Sequence, residues 1–223
     1  MTLARVKIGR REIREGVPPY VIAEIGVNHE GSLDRAKEMV TAARKGGADA
    51  AKFQTYKAER LASRDSPAYW DLSAEPTASQ FQLFKKWDTF GRDEYESLAE
   101  HCVAEGIHFL STPFDLEAVD FLVPLMPSFK IASADLTNVP LLRAVGRRGK
   151  PVILSTGAST LPEIESAVRV LEGEGCESIV LLHCVLSYPT AYEDANLGMI
   201  RGLRRAFPDR LVGYSDHTVP DEG

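Results

Sequence analysis

Apolar residues in this chain fall into short, nearly unbroken runs rather than in strict alternation with polar ones. Seven runs stand out, at residues 20–27, 50–55, 107–112, 128–133, 151–155, 178–185 and 210–214. A strand with one wet face alternates apolar and polar side chains, whereas a strand covered on both faces does not, so these runs predict a parallel sheet. Helical patterns separate them. Ser32 stands before Leu33, Ala36, Val40 and Ala43, which are spaced as one apolar helix face, and Gly46-Gly47 marks the stop. Thr160-Leu-Pro-Glu163 has the form of a capping box, followed by Ile164, Ala167, Val168 and Leu171 at core spacing and then by Gly173 and Gly175. Tyr95, Leu98 and Cys102 give a third face that ends near Gly106, and weaker helices are predicted over 139–147 and 197–207.

Repeated strand–helix units suit two architectures. A doubly wound sheet announces itself by a Gly-rich phosphate loop after its first strand, and Gly26-Val-Asn-His-Glu-Gly31 does not match that pattern. A (β/α)8 barrel fits better. Such barrels run to about 250 residues, whereas this chain has 223 and stops just after the seventh run. The expectation is therefore an α/β fold, a (β/α)8 TIM barrel truncated after its seventh strand. Residues 1–19 are expected to form an N-terminal extension, a short β-hairpin, and residues 20–223 the barrel domain. The connection 57–90 is too long for a simple βα turn and contains an amphipathic stretch at 80–86. It reads either as a substrate lid over the barrel mouth or as a packing or oligomer contact.

Composition narrows the function classes. With 44% hydrophobic and 26% charged residues the chain is not a disordered one. A net charge of −6 and the lack of a basic tract argue against a nucleic-acid partner. No apolar run is long enough to span a bilayer and no leader pattern opens the sequence, so no membrane partner and a cytoplasmic location are expected. The three cysteines, Cys102, Cys176 and Cys184, lack CxxC spacing and read as reduced thiols.

In parallel α/β folds the chemistry gathers at the carboxyl ends of the strands. Those ends carry Glu24; Lys52 and Gln54; Thr112; Lys130 and Ser133; Ser155 and Thr156; Ser187 and Tyr188; and Ser215, Asp216 and His217. A lone Ser or Thr there is most simply a helix N-cap. The lysines are harder to dismiss, because an ammonium inside Ala-Ala-Lys52-Phe-Gln or Phe-Lys130-Ile-Ala-Ser costs several kcal/mol unless an anion offsets it. Lysines, hydroxyls and helix N-termini together suit a phosphate or carboxylate; a lysine of lowered pKa suits a Schiff base instead. His217 reads as a metal ligand, a general base or a structural histidine, His183 as packed within its strand, and Cys184 as a thiol with no base at hand.

Seven strings carry a resemblance: Ile22-Ala-Glu-Ile-Gly-Val-Asn-His-Glu-Gly-Ser32, Ala51-Lys-Phe-Gln-Thr55, Ser111-Thr-Pro-Phe114, Lys130-Ile-Ala-Ser133, Leu154-Ser-Thr-Gly157, His183-Cys184 with Tyr188-Pro189, and Gly213-Tyr-Ser-Asp-His-Thr218. In this order they resemble the sialic acid synthase family, which includes synthases of legionaminic and pseudaminic acids and spore-coat polysaccharide enzymes. The resemblance implies a (β/α)8 barrel that condenses phosphoenolpyruvate with an N-acylated hexosamine, using Mn2+ or Mg2+, to give a nine-carbon 2-keto sugar acid and free phosphate. It implies that Lys52, Thr112, Lys130, Ser133, Ser155 and Ser215 hold the phosphate and carboxylate of phosphoenolpyruvate. Glu24, Gln54 and Tyr188 lie where the family contacts the sugar, and His217 matches one of two histidine metal ligands. Asp135, where relatives often carry Glu, is assigned to the water that traps the cation at C2. The catalytic set is thus Glu24, Lys52, Lys130 and Asp135.

Three departures accompany the resemblance. Leu186 stands where well-known members carry a polar residue. The second metal histidine falls beyond Gly223. The C-terminal antifreeze-like domain, through which the full-length protein is expected to form a homodimer, is absent from this sequence. Two rival functions are a Schiff-base aldolase on Lys52 or Lys130 and a non-catalytic synthase-like module.

Overall fold

A computed structural model describes residues 4–73 and 75–219. The chain divides into two compact units, one of residues 20–126 and one of residues 1–19 with 127–223.

In the unit 20–126, strands β3 (Ile22–Gly26), β4 (Ala50–Thr55) and β5 (His108–Pro113) form a parallel sheet in that order, the first two strands of the chain belonging to the other unit. All of β4 except Gln54 is buried, so both of its faces are covered, which is why its run shows no alternation. Helix α1 (Leu33–Lys45) begins at Ser32, whose hydroxyl accepts the Arg35 N–H at 3.2 Å, and it buries Ala36 and Val40. Gly47, at φ +88°, takes the left-handed turn that ends it. Helix α4 (Arg92–Glu105) buries Tyr95, Leu98, Ala99 and Cys102 and ends at left-handed Gly106. Its first turn is closed by Glu94, whose carboxylate accepts the Gly91 N–H at 2.7 Å.

The long connection of this unit holds α2 (Ala58–Leu61) and α3 (Gln80–Trp87). Its two ends are tied to each other. The Asp88 side chain, 1% exposed, accepts from Lys57 Nζ at 2.7 Å and from the Ala58 N–H at 3.0 Å, while Lys57 also donates to the Phe90 carbonyl. Helix α5 (Leu116–Leu122) was not predicted from the sequence. It has seven residues, too few for a periodic signal, and its start is fixed by Asp115 accepting the Ala118 N–H at 2.8 Å.

The other unit carries the hairpin of β1 (Arg5–Ile8) and β2 (Arg11–Arg14), paired antiparallel, and a second parallel sheet. That sheet runs β6 (Phe129–Ile131), β7 (Val152–Ser155), β8 (Ile179–His183) and β9 (Leu211–Tyr214). Helices α6 (Val139–Gly146), α7 (Leu161–Gly173) and α8 (Gly198–Ala206) alternate with the strands. Helix α7 buries Ile164, Ala167, Val168 and Leu171, the four residues that its spacing predicts. The predicted strand 128–133 is shortened to three residues, because Ser133–Asp135 turns into a 3-10 helix. The parallel α/β class holds, with the strands in sheets of three and four. Among the described residues no helix is long and apolar enough to cross a membrane.

The packing of α4 yields a direct comparison, since Leu98 is fully buried and Val103 on the same helix is 79% exposed. Leu98→Ala is expected to lower unfolding free energy by about 2–5 kcal/mol, and Val103→Ala by less than about 0.5 kcal/mol. Urea titrations of the two variants check this, and equal midpoints would contradict the assignment of the buried face.

Candidate active site

In the unit 20–126, Lys52 is flanked on both sides. Its register partner on β3 is Glu24, with which it forms an ion pair; the lysine side chain is 10% exposed and the carboxylate 48%. On β5 its partner is Leu110, and Nζ reaches one pleat further, to Thr112 Oγ1 at 3.4 Å. Gln54 lies two positions along β4 and so on the same face as Lys52. The ladder between β3 and β4 is bulged at Glu24/Gly26. There Gly26 sits at φ +56°, and a Cβ in its place would lie 3.3 Å from Glu24 Oε1 and 3.6 Å from Gln54 Nε2. Glycine is therefore favoured by the backbone angle, while the two side chains lie close enough to be in contact with any Cβ placed there. Beyond the bulge, buried His29 stacks on Phe90 at 4.1 Å and its Nδ1 accepts the Gly31 N–H. Burial, with the Arg35 charge adding to it, holds this imidazole below its ordinary pKa.

The other unit repeats the same diagonal. Lys130 on β6 pairs in register with Ile153 on β7, and Nζ donates to Ser155 Oγ, two residues on, at 2.6 Å, as well as to the Ile131 carbonyl at 3.0 Å. Lysine and serine are 6% and 3% exposed. Ser133 lies past the end of β6, where its Oγ accepts the Gly157 N–H at 2.9 Å and stands 3.1 Å from Cys184 Sγ. Asp135 closes the 3-10 turn and accepts from Asn138 Nδ2 at 3.0 Å. Burial pushes its carboxyl above the usual carboxylate range, against the opposing effect of that hydrogen bond.

At the ends of β8 and β9, His217 Nδ1 lies 2.6 Å from the Val185 carbonyl, which fixes Nδ1 as the protonated nitrogen and leaves a lone pair on Nε2. Nε2 is 3.4 Å from Ser215 Oγ, and the ring lies 4.3 Å from that of Tyr188. Asp216 is occupied as a turn acceptor for the Thr218 N–H and hydroxyl and for Tyr214 OH, contacts that depress its pKa, the Thr218 N–H most of all. His183 Nε2 meets the Ala195 carbonyl at 2.9 Å, inside the fold. Among the described residues no group of three or more His, Cys, Asp or Glu could hold a metal ion. One imidazole nitrogen alone does not fit a Mn2+ or Mg2+ site, which calls for several oxygen donors.

The predicted residues thus fall into local groups: Glu24, Lys52 and Thr112, with Gln54 on the same face; Lys130 with Ser155; and Tyr188, Ser215 and His217. Asp135 is set beside Asn138. Sequence reasoning assigned no part to Gly157 or Cys184, which grip Ser133. Both lay within the quoted strings, but their contact with Ser133 joins residues 24 and 51 positions away.

Comparison with known proteins follows the same segments. The model of the NeuB family matches residues 39–222. The chain belongs to the NeuB family. It is 48% identical over 218 residues to the protein MJ1065 of Methanocaldococcus jannaschii, covering 97% of this chain and 60% of that protein. It is 39% identical over 207 residues to an N,N'-diacetyllegionaminic acid synthase of Legionella pneumophila, covering 90% of this chain and 58% of the synthase. The crystal structure of an N-acetylneuraminic acid synthetase from Leptospira borgpetersenii, in complex with citrate, superposes with a TM-score of 0.85 at 34% identity over 97% of this chain and 71% of that one. This NeuB-family chain spans about three-fifths of the length of these curated relatives.

Asp135 generates a pH prediction. A folded carboxyl with a raised pKa binds its proton more tightly than the unfolded one, so its contribution to stability falls as pH rises from the unfolded value through the folded one. Asp135→Asn removes that loss and keeps a side-chain oxygen for Asn138. Urea unfolding is expected to show the variant more stable than the parent at pH 7 and equal to it at pH 3. A variant less stable at pH 7 would mean that the fold favours the ionised carboxylate.

Proposed function

We propose that this NeuB-family chain belongs to an enzyme that condenses phosphoenolpyruvate with an N-acylated hexosamine, such as N-acetylmannosamine, and releases phosphate by C–O cleavage. The observation that carries this reading is the repeated diagonal of Lys52 to Thr112 and Lys130 to Ser155, a buried ammonium aimed at a buried hydroxyl in each unit. Each such pair suits an anionic oxygen, because the hydroxyl that accepts from the ammonium keeps its own hydrogen to donate, beside a positive charge. The synthases among the relatives favour the same substrate class.

In this reading the two lysine–hydroxyl pairs, with Ser133 and Ser215, hold the phosphate and carboxylate of phosphoenolpyruvate, and Glu24, Gln54 and Tyr188 face the sugar. The enol carbon C3 attacks the sugar aldehyde, water adds at C2, and the tetrahedral intermediate expels phosphate as the C2–O bond breaks. Asp135, whose carboxylate burial makes a stronger base than a free one, takes the proton of that water. The lysines act by charge and hydrogen bonding, and no Schiff base forms on either. A divalent ion, Mn2+ or Mg2+, belongs to the reading as what the family resemblance implies, with His217 as one ligand, and the steps above are carried by the side chains alone. The reading carries with it the (β/α)8 barrel and the full-length homodimer that the resemblance implies.

An isotope experiment separates this reaction from its rivals. Phosphoenolpyruvate with 18O in the bridging position is incubated with N-acetylmannosamine and the full-length gene product. The expected result is a nine-carbon keto acid together with phosphate that retains the label. Unlabelled phosphate, or a borohydride-trapped adduct on Lys52 or Lys130, would overturn the proposal.

A further inference from the structure

The end of β6 holds a hydrogen-bond arrangement that this function does not yet use. Ser133 Oγ has one hydrogen to give and two lone pairs to fill. The Gly157 N–H, at 2.9 Å, takes one lone pair. The remaining neighbour is Cys184 Sγ at 3.1 Å, and a thiol is at once a weak donor and a weak acceptor. All this occurs away from water, since Ser133 is 8% and Cys184 5% exposed. The sulfur is buried close against Gly157. A Cβ on Gly157 would meet Cys184 Sγ at 2.8 Å and its carbonyl oxygen at 3.1 Å, so backbone following β7 lies directly against the residue following β8.

We propose that Cys184 is a positioning residue for Ser133, holding the serine hydroxyl as a donor toward the bound anion. The inference rests on the phosphoenolpyruvate reading given above. Without the anion, Ser133 can turn its hydrogen to the sulfur. With an anionic oxygen present the hydrogen turns to it, because a charge-assisted bond is roughly twice as strong as a neutral one. The thiol hydrogen then fills the lone pair that this rotation exposes. A group that both gives and accepts can hold Ser133 in both states; a methyl group can hold it in neither. Only hydrogen bonds are exchanged, and no covalent bond is made or broken.

The test uses the full-length gene product and phosphoenolpyruvate, with calorimetry for Kd and steady-state kinetics for KM and kcat. Cys184→Ala is expected to weaken binding about fivefold, the effect of one modest hydrogen bond. Cys184→Ser, which keeps a donor and acceptor, is expected to fall within about twofold of the parent. KM for phosphoenolpyruvate should move more than kcat, which a general loss of structure would not produce. In a Ser133→Ala background, Cys184→Ala should add nothing further. If Ser133→Ala itself leaves Kd unchanged, Ser133 is not in the anion site and the underlying reading fails. If Ser133→Ala weakens binding while Cys184→Ala has no effect, or an effect that adds fully, or one that Cys184→Ser does not rescue, the positioning role alone is overturned.

Discussion

A lysine ammonium set into an apolar parallel strand has to be offset where it lies, because little water reaches it there. Lys52 and Lys130 are two such groups, 8% and 6% exposed on strands whose other side chains are mostly buried and apolar. The parallel ladder decides how each is met. Side chains two apart on a strand share a face, so the nearest available group is the one a pleat beyond the register partner on the next strand. Thr112 and Ser155 occupy those positions, and Glu24 adds an opposite charge to Lys52. Even with such partners, burying a charge is a poor way to gain stability. Under the proposed function the lysines are groups held ready for a ligand's charge.

Much of the surrounding backbone serves the same end. The Gly26 bulge brings the end of β3 close against the Glu24 and Gln54 side chains beside Lys52. Gly157 lets the chain after β7 pass against Cys184 while its N–H meets Ser133. Asp88 binds the two ends of the long connection to each other, which keeps an extended excursion anchored at its base. Each of these is a local departure from regular structure beside a strand's carboxyl end.

The sequence made some of this legible and hid the rest for physical reasons. Unbroken apolar runs showed parallel strands covered on both faces, and the spacing of Ile164, Ala167, Val168 and Leu171 showed the buried face of α7. The lysines stood out because a charge in an apolar run has no packing explanation, and seven ordered strings pointed to the family that the comparisons show. Helix α5 escaped because seven residues give no period. The strand 128–133 was overextended because the 3-10 turn at Ser133–Asp135 has no breaker residue to mark it. Cys184 was set aside because only nucleophilic chemistry was asked of it, and its grip on Ser133 spans two strands and 51 residues, beyond any local pattern. His217 was read as one of two metal ligands, and the described residues supply one ring nitrogen with the tautomer fixed by Val185.

The central claim, that the buried lysines are kept for an anionic ligand rather than for stability, is tested most directly by thermal unfolding of a Lys52→Met, Lys130→Met variant of the full-length protein. Methionine keeps the volume of each stem and removes the charge. The account predicts a variant at least as stable as the parent without ligand, and no rise in Tm when phosphoenolpyruvate is added at a concentration that stabilises the parent. A variant that unfolds several degrees lower on its own, yet still gains stability from phosphoenolpyruvate, would contradict it.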